Sequence, residues 1–344
     1  MGPEGLGFKK SQTFNFEIKG IDIGDVDGDK KNEVVIMDYH NIYIFKYDGD
    51  KLTLFQKIEH GYTHNFLSLD VADVNRNGIA EIIVTSLIDD NLRSFILEYE
   101  EKKFKKITDN AGWYFRVLDL PKEGPILMGQ EMGAEGELVG PIFRFVWKKK
   151  TFVKGPKMDL PKRIKIFGLA LADIRNQGTL DAVILDDSEQ LTVQSADGKF
   201  SWSSRQRYGG TNNSYNTKKT NDPMKRDRYD PHHRVYIPGR LVTRDLDGDG
   251  LKEVMVIKNN YSMKLFERAR SFESGEIYGL VWYGSALETQ WKTRDISGYI
   301  ADFQIRDLDN DGEEELVVGV VDSPGEGLLG STNIKSNILF FKLF

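Results

Sequence analysis

The sequence predicts an all-β fold, a β-propeller of six four-stranded antiparallel blades, with seven blades as the alternative. Three observations carry that expectation: short strand-like runs recur, acidic loops recur between them, and successive loops stand about one blade apart. Three loops read Asp-x-Asp-x-Asp with a Glu four residues after the third Asp: Asp25/Asp27/Asp29/Glu33, Asp245/Asp247/Asp249/Glu253 and Asp307/Asp309/Asp311/Glu315. Directly after them come Val34–Met37, Val254–Ile257 and Leu316–Gly319, β-branched runs of strand length. Two looser copies, Asp73/Asn75/Asn77/Glu81 and Asp173/Arg175/Gln177/Asp181, precede Ile82–Thr85 and Ala182–Leu185.

Numbered from its first acid, each loop has an aliphatic residue at position 2: Val26, Val74, Ile174, Leu246 or Leu308. That side chain is expected to turn away from the acids into a core. Position 6 is Gly78, Gly178, Gly250 or Gly312, where a sharp turn calls for positive φ, and Lys30 in the first loop is expected to carry more strain.

Alternating stretches precede the loops, among them Gly20–Gly24, Phe66–Val71 and Phe167–Leu171, and two more follow the strand after the first loop, Ile42–Tyr47 and Leu52–Ile58. The unit is a four-stranded meander. Loop starts at 25, 73, 173, 245 and 307 leave a gap of 100 where the first pair is 48 apart, so a unit without acids belongs between the second and third loops. Tyr114–Leu120, Pro125–Gly129, Pro141–Trp147 and Thr151–Lys157 supply its strands. The last unit offers Ala301–Arg306, Glu315–Val321 and Asn337–Phe344, and its missing outer strand is expected from Gln12–Ile18, which closes the ring. One propeller domain over residues 11–344 follows, with residues 1–10 as a start or linker and a basic insertion at about 203–234.

Four carboxylates within nine residues repel one another unless a cation sits among them, and hard oxygens in that number suit Ca²⁺. A helix–loop–helix calcium hand has its acid at position 12 and a helix after it, whereas here position 12 is Ile36, Val256 or Val318 and a strand follows. The loops are candidate calcium sites that join strand to strand. The backbone carbonyls of Lys31, Ile79, Leu251 and Glu313 are the expected position-7 ligands. Three sites are expected to be strong, the Asp73 loop weaker, and the Asp173 loop metal-free, its Arg175 guanidinium replacing the ion between Asp173 and Asp181.

The chain of 344 residues has no cysteine, which excludes disulfides and thiol chemistry. No apolar run approaches the length of a membrane helix. The formal charge of −6 becomes +2 when four loops each hold one Ca²⁺. Met1–Gly7 has neither a basic start nor a hydrophobic stretch, so a signal or anchor is expected outside this sequence.

The Asp-x-Asp-x-Asp-Gly loops with strands on both sides resemble the FG-GAP/VCBS repeats of integrin α-subunit propellers and of many secreted bacterial proteins. Integrin propellers have seven blades and usually Asp at position 9; this chain shows six units and mostly Glu. The resemblance implies calcium-stabilised loops in an extracytoplasmic propeller, periplasmic, outer-membrane-associated or secreted, that binds a protein or glycan as a monomer.

From Ser203 to Arg240 nine Lys/Arg face three Asp, with Tyr208, Tyr215, Tyr229 and Tyr236 interleaved and no strand pattern before Arg234. The segment is either a binding loop for an anionic surface or an insertion packed on the propeller. Nucleic acid also suits such a composition, but an exported propeller argues against it. Catalytic motifs are lacking. His60 and His64 read as ordinary loop histidines, and Asp38, Asp186, Asp187 and Asp322 as turn acids rather than a glycosidase pair. A noncatalytic calcium-binding propeller is therefore the leading expectation, and a polysaccharide-acting hydrolase or lyase the alternative.

Overall fold

The computed structural model describes residues 7–49, 51–217, 234–262, 270–322 and 334–343. Strands and turns account for them, and no described helix is long and apolar enough to cross a membrane. Six four-stranded antiparallel blades follow one another along the chain. Blade 1 comprises Gly20–Gly24, Glu33–Met37, Asn41–Tyr47 and Leu52–Glu59. Blade 2 comprises His64–Ala72, Glu81–Ile88, Ser94–Glu100 and Lys103–Ala111, and blade 3, the one without an acidic loop, Trp113–Leu120, Gly124–Met132, Leu138–Lys148 and Thr151–Lys157. Blade 4 is Leu169–Ala172, Asp181–Leu185, Gln190–Ser195 and Ser201–Arg207; blade 5 is Leu241–Arg244, Glu253–Tyr261, Phe272–Tyr283 and Ala286–Lys292.

Burial grades outward within a blade. Gly20–Gly24 and Glu33–Met37 are buried almost throughout, whereas Leu52–Glu59 is mostly exposed. The second strands therefore carry uninterrupted apolar runs, because both of their faces meet a neighbouring blade. Each adjacent pair of blades shares a core. Val35 and Ile44 of blade 1 pack with Leu69 and Val84 of blade 2, and Val254 of blade 5 packs with Val183 of blade 4. Ile21 and Val34 of blade 1 share a cluster with Val317 and Phe340 of blade 6, which closes the ring.

Blade 6 is completed from the other end of the chain: Tyr299–Arg306, Glu315–Val321 and Ser336–Lys342 are joined by Lys9–Lys10, paired Lys9 to Phe340 and Lys10 to Leu339. Closure by the N-terminal strand holds, but the ladder lies before the expected Gln12–Ile18, within the residues assigned to a linker. Alternation at 12–18 serves packing instead. Phe16 stacks on Tyr43 with ring centroids 4.2 Å apart and Phe14 packs on Phe45 at 5.3 Å. Phe14 keeps a single bridge to Ser336, and the hydroxyls of Ser11 and Ser336 accept the backbone N–H groups of Ile338 and Ile18.

The insertion also starts later than expected, since residues 203–207 belong to the outer strand of blade 4. A strand does precede Arg234: Ser214–Asn216 pairs with Arg234–Tyr236. Three residues are too few to show a period. Residues 218–233, including Asp222, Asp227, Asp230 and both histidines of the insertion, lie outside the described residues.

Candidate metal loops and the filled axis

All five acidic loops connect the first and second strands of their blades, and each is folded by its own side chains. The first acid accepts backbone N–H groups from the turn: Asp73 Oδ2 from Gly78 at 2.8 Å, Asp173 Oδ2 from Gly178 at 2.7 Å, Asp25 Oδ2 from Lys30 at 2.8 Å. In the four loops other than that of Asp173, position 3 accepts from position 5, and position 5 from position 7, as in Asp27 from Asp29 at 3.1 Å and Asp29 from Lys31 at 2.9 Å. Ile79, Leu251 and Glu313 donate in the same way, to Asn77, Asp249 and Asp311. Asp25, Asp73 and Asp173 spend both carboxylate oxygens on the turn, whereas Asp245 and Asp307 spend only Oδ2. The three triplets Asp25/Asp27/Asp29, Asp245/Asp247/Asp249 and Asp307/Asp309/Asp311 bring their ligand atoms within 4.8 Å of one another.

Positive φ occurs at position 6 in every loop, from Gly178 at 73° to Gly312 at 92°, and at Lys30 at 68°, where a side chain is strained as expected. Position 4 is left-handed too (Gly28, Arg76, Asn176, Gly248, Asn310), which the sequence pattern did not announce.

The ninth residue closes the loop from below. Glu33, Glu81, Glu253 and Glu315 each accept the N–H of position 2 through Oε2, at 3.0, 2.8, 2.7 and 2.9 Å. Each Oε1 is buried with no hydrogen-bond partner, as are Asp245 Oδ1 and Asp307 Oδ1. An unpaired buried carboxylate oxygen costs several kcal/mol in a native fold, and a cation among these oxygens would offset that cost. Burial pushes Glu33 and Glu253 up to about 7, with neighbouring Asp side chains adding to the shift, and raises Glu81 and Glu315 for the same reason. The donor set, hard oxygens with orphaned buried members, fits Ca²⁺.

The loops differ in what the chain itself places against them. In blade 1, Lys46 Nζ lies 2.6 Å from Asp27, 2.7 Å from Asp29 and 3.6 Å from Glu33. In blade 6, Lys342 Nζ lies 3.1 Å from Asp311, 3.9 Å from Asp309 and 4.0 Å from Glu315. In blade 2, Glu98 accepts the amides of Asn75 and Asn77, the latter at 3.0 Å. In blade 4, the Arg175 guanidinium bonds Asp181 at 2.8 and 3.0 Å, while Asp173 is spent on the turn. Its expected bridge between the two acids is therefore one-sided, because Arg175 lies over the Phe200 ring, 4.2 Å from its centroid. Among the described residues, only Gln290 reaches the blade 5 loop, its amide donating to Asp247 Oδ2 at 3.2 Å.

A second acidic cluster lies on the propeller axis. Asp22, Asp70 and Asp302 sit on the first strands of blades 1, 2 and 6, and each accepts the backbone N–H of the next blade's first strand: Val71, Val117 and Ile21. These carboxylates stitch together strands that share no ladder. Arg240, from the edge of blade 5, reaches all three acids at 3.0–3.2 Å and donates to Leu69 O at 2.7 Å. Arg116 pairs with Asp70 at 2.8 Å, and Gln304 donates to Asp22 at 2.7 Å. The axial cavity beside them is about 50 Å³, and its rim carries Asp119 paired with Arg244 at 2.9 Å. The other mouth is covered by the start and end of the insertion. Asn213 donates to Leu67 O at 2.6 Å, the N–H of Asn212 donates to the Tyr299 hydroxyl at 3.0 Å, and Tyr215 packs on Tyr114.

The remaining candidates are structural. Asp38 accepts two turn N–H groups and the Tyr43 hydroxyl, Asp186 accepts from Ser188 and Gln190, Asp187 pairs with Lys165, and Asp322 accepts from Asn337. His60 stacks on Phe95, its pKa lowered to about 4 by burial, and His64 bonds the Ser86 hydroxyl at 2.9 Å. The loop acids were legible as a motif. Lys46, Glu98 and Lys342 were not, since they lie on a distant strand; Asp22, Asp70 and Arg240 had one signal, a charge inside an otherwise apolar stretch.

Residues 25–84 match the family model described as FG-GAP-like repeat. That segment runs from the first acidic loop into the strand after the second, in a chain whose six blades carry five such loops. The chain is a six-bladed propeller in which the segment holding the first two acidic loops matches the FG-GAP-like repeat. No curated protein matches it. Among solved structures it is similar to BBS1N in complex with ARL6DN, with 11% identity, a TM-score of 0.48, and 98% of this chain and 97% of that chain covered. It is also similar to a putative oxidoreductase of Thermus thermophilus described as a glucose dehydrogenase, at 13% identity, TM-score 0.48, covering 97% and 100%. A third, the Tc holotoxin pore of Photorhabdus luminescens, has 11% identity and a TM-score of 0.46, with 97% of this chain matched to 14% of that one.

Proposed function

We propose that the chain is a noncatalytic, calcium-stabilised propeller that binds a protein or glycan at an extracytoplasmic surface. The observation that carries this proposal is the filled axis. Catalysis on a propeller needs a chamber where a substrate meets unpaired acids or bases. Here the axial acids are already bonded to Arg240 and Arg116, and the cavity left beside them holds about 50 Å³, room for water and not for a sugar ring. The described start and end of the insertion cover the opposite mouth, which favours binding on a face over reaction at the axis.

Calcium has a stabilising role in this proposal. The blade 5 acids Asp245, Asp247, Asp249 and Glu253 would hold the ion, which offsets their mutual repulsion and ties the first two strands of the blade together. The ligand face is the covered one. A groove of about 750 Å³ lies there between blade 3 and the connection to blade 4, floored by Leu138, Ile142, Met158 and Leu160. Lys157, Lys162 and Arg163 stand exposed on its rim against the single acid Asp159, so an anionic partner is favoured.

The test is binding of the calcium-loaded protein to a glycan array and to immobilised envelope extracts, compared with Lys162→Glu/Arg163→Glu. The double variant is expected to slow association and to flatten its salt dependence. Release of new reducing ends or unsaturated sugars from an array polysaccharide would instead establish the enzymatic alternative.

A further inference from the structure

The five loops share a motif, yet the chain answers each with a different side chain, and four of the answers can be compared at one ladder position. In blade 1 the ladder pairs Glu33 with Lys46, and in blade 6 it pairs Glu315 with Lys342. In blade 2 the pairing of Ile82 with Leu97 puts Glu98 opposite Glu81, and in blade 5 the pairing of Val254 with Leu280 puts Val281 opposite Glu253. Residues directly opposite in an antiparallel ladder project on the same face, so this third-strand residue is the side chain outside the loop best placed to enter it.

We propose that this third-strand residue decides which loop takes calcium: Lys46 and Lys342 put their own ammonium where the cation would lie, and the loop of blade 5, faced by Val281, is the calcium site. The inference rests on the calcium role proposed above and revises the expectation of three equally strong sites.

Distances carry the argument. In blade 1 the Asp27 and Asp29 oxygens not used by the turn are those that Lys46 Nζ meets at 2.6 and 2.7 Å. An ammonium there supplies the positive charge, and Ca²⁺ has to displace it and leave it near a second cation. Lys342 does the same less tightly, at 3.1 Å from its nearest acid. In blade 2 the amides of Asn75 and Asn77 turn their donors inward to Glu98, so the polarity of the loop is reversed. Arg175 neutralises Asp181 in blade 4. In blade 5, Glu253 is fully buried, and both Glu253 Oε1 and Asp245 Oδ1 lack a partner, with no cationic side chain among the described residues to meet them. Apolar Val281 cannot supply one.

Calorimetric titration of the full chain with CaCl2 tests this, with melting curves in chelator showing that each variant is folded. The wild type is expected to take up one tight equivalent, which Glu253→Gln removes. Lys46→Met and Lys342→Met are each expected to gain one further equivalent, and Lys46→Gln, which keeps a polar tip but loses the charge, to behave like Lys46→Met. Lysine variants that bind no more calcium than the wild type overturn the inference while leaving the calcium role standing. Absence of binding by the wild type and every variant overturns the calcium role itself.

Discussion

The axis and the blade 5 loop pose the same electrostatic problem and solve it differently. On the axis three buried aspartates converge, and the chain provides the counter-charge through Arg240, helped by Arg116. In the blade 5 loop three aspartates and a buried glutamate converge, and the described chain provides none. The difference separates two kinds of acidic cluster. One is complete when the chain folds; the other, on the calcium role proposed above, would be completed from solution, so that its stability would follow the concentration of a cation.

Removing the internal counter-charge gives the largest expected effect. Arg240→Met leaves Asp22, Asp70 and Asp302 buried around an apolar side chain, with Arg116 reaching only Asp70. Breaking a buried ion network from one side costs about 3–5 kcal/mol. Thermal unfolding should show a large fall in melting temperature that added calcium does not restore. Restoration by calcium would erase the distinction between the two clusters.

Converting the second cluster into the first kind is the next largest. Val281→Lys places a lysine opposite Glu253, as Lys46 stands opposite Glu33. The variant should lose the calcium-dependent rise in melting temperature, which for a ligand at one hundred times its Kd amounts to about 2.7 kcal/mol. A full calcium response retained in Val281→Lys would show that the ladder position does not govern the loop.

The two clusters were unequally legible. Loop acids announce themselves because nine consecutive residues hold the whole motif, and the strands beside them are apolar on both faces; blade count, blade order and the acid-free third blade followed from that periodicity. Lys46 and Lys342 are invisible at that level, since thirteen and twenty-seven residues separate them from the acids they face and only the ladder brings them there. Arg240 lies outside any repeat signal because the first strands of blades 1, 2 and 6 surround it from three separate parts of the chain. Lys9–Lys10 were missed because a two-residue strand has no period, and the aromatic alternation of Phe14 and Phe16 imitated one.

Lys19 sharpens the comparison from the opposite sign, as a buried cation given no carboxylate in direct contact. Its ammonium donates to Phe66 O at 2.7 Å and Asn65 Oδ1 at 3.1 Å and lies 4.2 Å from the centre of the Tyr39 ring. Neutral oxygens and a ring face do not repay the loss of water, so burial lowers its pKa from 10.5 to about 7 despite the charges of Glu17 and Asp38. Below pH 7 the lysine is protonated in both states and its burial cost is fully present. Between about 7 and 10.5 the unfolded chain holds the proton that the folded chain has released, so stability rises with pH, by at most about 1.4 kcal/mol for each pH unit. Lys19→Met should flatten that rise between pH 7 and 8 in melting curves recorded at fixed calcium. Arg240, held by carboxylates on three sides, should show no such slope in the same window, and an unchanged slope in Lys19→Met would mean that the ammonium keeps its proton where it lies.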